Sequence, residues 1–574
     1  MRKMIPSFCL VIALVFSAGL FAQVQRANLP EDFPEIKLNV YDNPEPGYIF
    51  ITPGGLWGYF MGATPYLAIV DNYGTPVYYQ ELDVPAFDFK LQENGMISFH
   101  GGGYGLLNHI MDSAYNITDS KGVSGYSGTD FHEFRLRDDG SCLLLGWDDR
   151  QVDMSTIVPG GQPGATVRGT LLQEKDAAGN VLWEWSSWGH IDILDCDTAH
   201  VGLTGAFIDY IHTNAVEEDD DGNILISSRN LHEITKIDKS SGNIIWRLGG
   251  SQNEFEYTGQ DTLGFSGQHH IRKLENGHYL LFDNGWYHPE VVSSALELQI
   301  DEENKIVEVV KRYRSQPDDI MGYIMGSSQR LPGGHTLVGW GSGVPNVTEF
   351  KPDGTKALEL EFESVSYRAF KFPWKTNIFS SGINTINFGE IYFAASETES
   401  VTITNHHHQN IIITGIHNHS GKYYCKDDLP LLIPAGASET LEIEFIPGQI
   451  GEYNDIITVY AEWQNQTTVS SFALQLNALG AASEEASVPG HAMNHMRVYP
   501  NPATDIICII KPAIVGELEY HLSNIQGKHL IYGLIPAMAD DFQVSTGHLS
   551  GGVYILSLIE KNSGRSVYRK IIKR

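Results

Sequence analysis

Three histidines recur at matched positions in the middle of the chain, accompanied by an arginine and an asparagine. His132 lies eight residues before Gly140 and His269 eight before Gly277, while His212 lies ten before Gly222, whose turn holds two extra acidic residues. Seven residues after the turn glycine stand Arg229 in one copy and Asn284 in the next. Three histidines suit two chemistries. Zinc accepts three imidazoles and a water. An oxyanion suits one imidazole as nucleophile, with the others and an arginine holding charged oxygens. Arg229 beside the cluster disfavours a dication and favours the oxyanion, so neither a metal nor a cofactor is expected. A basic leaving oxygen on such an oxyanion would need a proton donor, a task open to His212 or His132.

His269 has an immediate neighbour, His270, which aligns with Glu133 and Thr213 in the other copies. Neighbouring side chains on a strand point to opposite faces. His269 is therefore expected to face a shared channel, and His270 the sheet interior or solvent. Asn284 is a candidate donor to a bound oxyanion. Trp286 and Tyr323 are candidates for an aryl pocket near the same strand ends, with Tyr287 and Trp340.

The elements that must position these residues come from a repeat running from about residue 46 to 365. Its clearest copy is DDDGNILISSRN (219–230) followed by ITKIDKSSGNIIWRLGG (234–250). Six such units show period-two alternation, β-branched and aromatic residues, and Asp/Asn-Gly turns between strands. Radial repetition of sheets makes a β-propeller, in which equivalent positions converge on a central channel.

The segments IHTNAVEEDDDGNILISSRNLHEITKID, GQHHIRKLENGHYLLFDNG and SVSYRAFKFPW resemble the bacterial arylsulfotransferase (aryl-sulfate sulfotransferase) family over roughly residues 45–375. The resemblance implies a six-bladed propeller. It also implies sulfuryl transfer from a phenolic sulfate ester to a phenol, without a nucleotide sulfate donor. The family's transiently sulfated histidine matches His269, and His212, Arg229 and His132 match its other site positions. The alternatives are a non-catalytic surface propeller that binds sulfated glycans or other anionic or aromatic ligands, and a quinoprotein-like propeller. The latter lacks an adjacent cysteine pair and a calcium carboxylate cluster.

The remaining sequence speaks to location. A net charge of −32 argues against nucleic acid as a partner, because phosphate binding needs a basic surface. Residues 1–23 read as a signal peptide, and no later segment reaches membrane-spanning length. Cys142, Cys196, Cys425 and Cys508 stand far apart in no metal spacing and suit either pairing or buried free thiols. The propeller is expected over 24–380. Residues 381–480 read as a seven-strand immunoglobulin-like sandwich, with His406, His407, His408, His417 and His419 in solvated loops. Residues 481–496 read as a polar linker. Residues 497–574, with YPNP, a Gly-Lys turn, GVYIL and a basic end, resemble the type IX secretion sorting domain. That resemblance implies export and the type IX machinery as a partner, with the product secreted or attached to the cell surface.

Overall fold

The structure, a computed structural model, describes residues 29–55, 59–60, 62–392, 395–463, 468–481, 493, 496–512, 515–539, 541–562 and 564–574. The expected signal segment lies outside the described residues, as does most of the expected linker.

Residues 36–372 form six antiparallel sheets, each built on four strands. Their inner strands are Ala86–Leu91, Gly128–Leu136, Thr213–Glu218, His269–Lys273, Ser327–Arg330 and Ala369–Phe372. Each inner strand touches the next, and the last touches the first, so the ring is closed. This is a β-propeller. In five of the sheets the inner strand turns back through a glycine with left-handed backbone: Gly95, Gly140, Gly222, Gly277 and Gly334, at φ of 77°, 80°, 80°, 84° and 95°. A side chain there meets a steric penalty that glycine avoids. The common turn keeps the inner strands in one register.

The ring closes through both ends of the repeat. Tyr48–Ile51 pairs with Ala369–Phe372, which is the inner strand of the first sheet. Ile36–Tyr41 pairs with Lys356–Phe362 and adds an outer strand to the last sheet.

Among the described residues the sandwich has nine strands between Phe379 and Ala481 rather than the seven expected. The first, Phe379–Ser381, spans the boundary expected at 380/381. Strand Thr468–Ala481 pairs with Pro76–Glu81, the outer strand of the first propeller sheet, so a single nine-stranded sheet runs through both units. An outer strand left bare would offer unpaired N–H and C=O groups to any other chain. The histidine-rich stretch is partly structural, contrary to the solvated loops expected. His407 is buried, and the His419 ring stacks on Tyr73 of the propeller at 3.6 Å.

Residues 497–574 form two facing sheets, one of three strands and one of four, around a core that includes Ile507, Leu522 and Leu556. Cys142, Cys196, Cys425 and Cys508 are free thiols. Among the described residues no helix is long and apolar enough to cross a membrane.

Candidate functional site

The matched histidines lie on or next to inner strands. His269 opens strand His269–Lys273, His212 immediately precedes Thr213–Glu218, and His132 lies within Gly128–Leu136. A bulge interrupts pairing between His269 and Arg272, and His270 there has φ of 59°. The bulge breaks the period of two. His270 is consequently only 2% exposed and lines a second channel cavity with Lys90, Glu133 and Arg272. This corrects the expectation that it faces the sheet interior or solvent. His212, at φ of 48°, is likewise left-handed, a backbone state that for non-glycine residues clusters at functional sites.

His269 is 1% exposed. Its Nδ1 lies 2.8 Å from Asn284 Oδ1 and 3.0 Å from the Gly267 carbonyl. Both amide hydrogens of Asn284 are engaged, donating to Gly322 O at 2.6 Å and Met325 O at 3.1 Å. Asn284 Oδ1 must therefore accept, the His269 proton sits on Nδ1, and Nε2 keeps its lone pair. Nε2 has no hydrogen bond among the described residues. Burial, then the Arg229 charge, holds the imidazole well below its ordinary pKa. Asn284 was expected to donate to an oxyanion; with both donors taken and its side chain buried, it orients His269 instead.

The other two histidines are backed by carboxylates rather than an amide. His132 Nδ1 lies 2.5 Å from Asp130 Oδ1, and His212 Nδ1 lies 2.6 Å from Asp209 Oδ2. Their rings meet edge to face at 4.8 Å. Burial lowers the His212 pKa, Asp209 opposes this, and Arg229 adds to it. Asp130 would be raised by burial, but the adjacent His132 outweighs that and holds it down to about 2.

Arg229 begins a short 3-10 segment, Arg229–Leu231. Its Nε donates to Asn230 Oδ1 at 3.0 Å, and its guanidinium lies 5.6 Å from the centre of the Trp286 ring. Among the described residues it forms no ion pair, whereas other arginines of the ring, such as Arg272 and Arg368, do. A cavity of about 400 Å³ is lined by Arg229, His212, Asp209, His200, Trp286 and Tyr323, with Phe207 at its edge. His132, His269 and Asn284 are buried beside this cavity rather than in its lining. Trp286 stacks on Tyr323 at 5.1 Å and donates its indole N–H to the Tyr323 carbonyl at 2.7 Å. Tyr287 is 54% exposed and gives its hydroxyl proton to Asp197. Trp340 is not part of the cavity. It is fully buried against Phe282 and Phe350, with its indole N–H donating to Thr348.

Asp130, Asp209, Asp197, His200, His232 and Phe207 did not emerge from the repeat alignment. The first two were findable, since Asp130 stands two residues before His132 and Asp209 three before His212. Asp197 and His200 come from the segment between strands Val181–Ser186 and Phe207–Asp209, Phe207 from the second of these strands, and His232 from the connection after Arg229–Leu231. Among the described residues no group of three or more His, Cys, Asp or Glu side chains is arranged to hold a metal ion.

Further along the inner strands the channel is filled by charge. Glu133, with no exposed surface, pairs with Lys90, with Arg272 at 2.5 Å and with Arg368 at 3.4 Å. Arg368 also reaches Asp88 at 2.6 Å and the Asn214 carbonyl at 2.7 Å.

No curated protein matches the chain. Among solved structures, PorZ, an essential surface component of the type-IX secretion system of Porphyromonas gingivalis, is 11% identical over 89% of this chain and 69% of PorZ, with a TM-score of 0.24. A streptogramin B lyase is 11% identical over 56% of this chain and 86% of the lyase, with a TM-score of 0.29. A PapD-like domain of human CEP192 is 14% identical over 19% of this chain and 87% of that domain, with a TM-score of 0.16. Likenesses this weak carry no functional meaning. The family matches are the informative ones. They cover residues 89–363 for Arylsulfotransferase (ASST) and residues 497–574 for the secretion system C-terminal sorting domain. Residues 89–363 thus match the arylsulfotransferase family model, which supports arylsulfotransferase activity, and the type IX sorting domain indicates secretion or attachment at the cell surface.

Proposed function

We propose that the propeller is an aryl-sulfate sulfotransferase that works in two half-reactions through His269, without a nucleotide sulfate donor. The observation that carries this reading is the fixed tautomer of His269. Its Nδ1 proton is held by Asn284 Oδ1 and the Gly267 carbonyl, so the unprotonated Nε2 is the nucleophilic atom. In the first half-reaction the Nε2 lone pair attacks the sulfur of a phenolic sulfate ester. An N–S bond forms, the S–O ester bond breaks, and its electron pair leaves on the phenolic oxygen. In the second, a phenol oxygen attacks the same sulfur and the N–S pair returns to Nε2.

Arg229, which forms no ion pair among the described residues although the Asp209 charge acts on it, is the group to hold the sulfuryl oxygens, where fixed charge acts on the developing transition state. His132 and His212 stand within electrostatic reach of His269. Each is hydrogen-bonded through Nδ1 to a carboxylate, an acceptor that fixes the ring's orientation and places a proton on Nδ1. The stacked Trp286 and Tyr323 offer the aryl group an apolar wall.

The test is to incubate the purified chain with an aryl sulfate, with and without a phenol acceptor. The expected result is phenol release sustained only with acceptor, and a labile sulfuryl mass on the peptide containing His269, absent from His269→Ala. Ligand binding with no release and no adduct would overturn the reading. It would favour a propeller that holds sulfated or other anionic ligands without turning them over.

A further inference from the structure

Among the imidazoles lining the first cavity, His200 is the one to which the two half-reactions assign no task. It stands on a turn in which the Asp197 carbonyl accepts the N–H of His200 at 3.0 Å and of Val201 at 2.9 Å. The Asp197 N–H donates to the Asn230 carbonyl at 2.8 Å, which ties this turn to the segment carrying Arg229. Asp197 Oδ2 gathers three donors: His200 Nδ1 at 2.6 Å, His232 Nε2 at 3.0 Å, and the Tyr287 hydroxyl. The assignment of protons follows from the partners. His232 Nδ1 accepts the N–H of Gly267 at 2.7 Å, so the His232 proton is on Nε2 and points at Asp197. His200 gives its Nδ1 proton to the same carboxylate. Its Nε2 is left 3.5 Å from the Tyr323 hydroxyl, and its ring centre lies 4.7 Å from that of Trp286.

His200 is therefore another carboxylate-backed imidazole, placed differently from His132 and His212. His132 and His212 touch each other beside Arg229 and His269, where sulfuryl oxygens would lie. His200 sits among the aromatic residues, with its side chain 32% exposed. In an in-line displacement the leaving oxygen departs on the side opposite the attacking atom. Trp286, Tyr323 and His200 line the same cavity as Arg229, and the leaving side is taken to be this aromatic one.

We infer that His200 is the catalytic acid–base for the phenolic oxygen in both half-reactions, an inference that rests on the sulfotransferase reading above. In the first half-reaction the imidazolium of His200 gives its Nε2 proton to the departing phenolate as the S–O bond breaks. In the second, neutral Nε2 takes the proton of the incoming phenol as its oxygen attacks sulfur. Asp197 balances the positive form in between, and the proton count is restored over one turnover.

The experiment compares the full chain with its His200→Gln variant, measuring His269 adduct formation from two donors. 4-Nitrophenyl sulfate has a leaving group that departs without a proton, and phenyl sulfate has one that needs it. General acid catalysis is worth on the order of 10²–10⁴-fold. The expected result is a loss of about 10²-fold or more with phenyl sulfate and a loss within about 3-fold with the nitrophenyl ester. Equal losses with both donors would assign His200 a structural role and overturn the inference, as would no loss with phenyl sulfate. If His200→Gln melts early, Asp197→Asn carries the same comparison, with the same donor dependence expected. Absence of any adduct in the unsubstituted chain would instead remove the parent reading, and His200's role with it.

Discussion

Asn284 holds His269 by the atom that does not react: its Oδ1 takes the Nδ1 proton at 2.8 Å while both of its own hydrogens are spent on the carbonyls of Gly322 and Met325. An amide at that position leaves His269 neutral, whereas Asp209 behind His212 opposes the lowering that burial imposes there. Asn284→Asp would reverse the distinction. A carboxylate behind His269 raises its pKa and protonates Nε2 at neutral pH. The expected outcome is a fall in kcat/KM of about 10-fold or more near pH 7 that recovers as pH rises, a factor of ten for each unit of upward shift. A pH–rate profile measures it. Two buried carbonyls also lose their donors, so stability should fall by about 1–3 kcal/mol.

Arg229 lines the first cavity and forms no ion pair among the described residues. Arg229→Lys keeps the charge but loses the planar fork that matches an oxyanion. Arg229→Ala loses both. Removing a preorganised oxyanion donor costs about 10²–10³ in rate, so Arg229→Ala should lose at least that in kcat/KM for an aryl sulfate, with Arg229→Lys between. Steady-state kinetics with one donor and one acceptor separates the two variants.

Acid should loosen the propeller earlier than its carboxylates alone would require. Burial lowers the pKa of His100 from 6.5 to about 4, and it also lowers His212, His232, His269 and His270. Below pH 6.5 the unfolded chain takes up protons that these folded sites refuse, so stability falls as pH falls. This contribution is complete above pH 6.5 and is lost toward the folded pKa. For His100 alone the loss between pH 6.5 and 4 is about 3 kcal/mol. Thermal melts from pH 7.5 to 5 should show a falling Tm, and His100→Phe should flatten the slope.

Glu133 anchors the charged filling of the channel. Its buried carboxylate is held well below the ordinary range, because Arg272, Lys90 and Arg368 together outweigh the upward push of burial. Glu133→Gln would leave those cations without their shared partner. Breaking one member of a buried ion network costs about 3–5 kcal/mol, which a urea unfolding curve would register as a lower midpoint at unchanged slope.

Alternation and turn glycines made the all-β repeat legible, because both report local backbone geometry. Counting from the same glycines placed His132, His212, His269, Arg229 and Asn284 at equivalent strand ends. What could not be read was anything that breaks the period. The bulge at His270 depends on pairing between His269 and Phe282, and no spacing in the sequence announces it. The direction of Asn284 was hidden for a related reason. Its donors are taken by carbonyls 38 and 41 residues away, an arrangement that belongs to loops rather than to the repeat. Asp197, His200 and His232 come together through such loops as well. The sandwich was visible as a pattern, but its pairing with Pro76–Glu81 was not, since an edge strand carries no mark of the partner that will cover it.

That last pairing has a consequence for how the molecule is made. Ser471 Oγ donates to the Val77 carbonyl across 394 residues of chain, and Ala369–Phe372 must arrive before the first sheet has its inner strand. The earliest sheet to be synthesised is thus among the last to be completed, on both of its sides. A chain interrupted before residue 468 carries an open strand edge and a gap in its ring, and either can recruit a neighbouring molecule. Biogenesis of an exported protein built this way favours delivery as a whole chain, with folding postponed until both late segments have emerged.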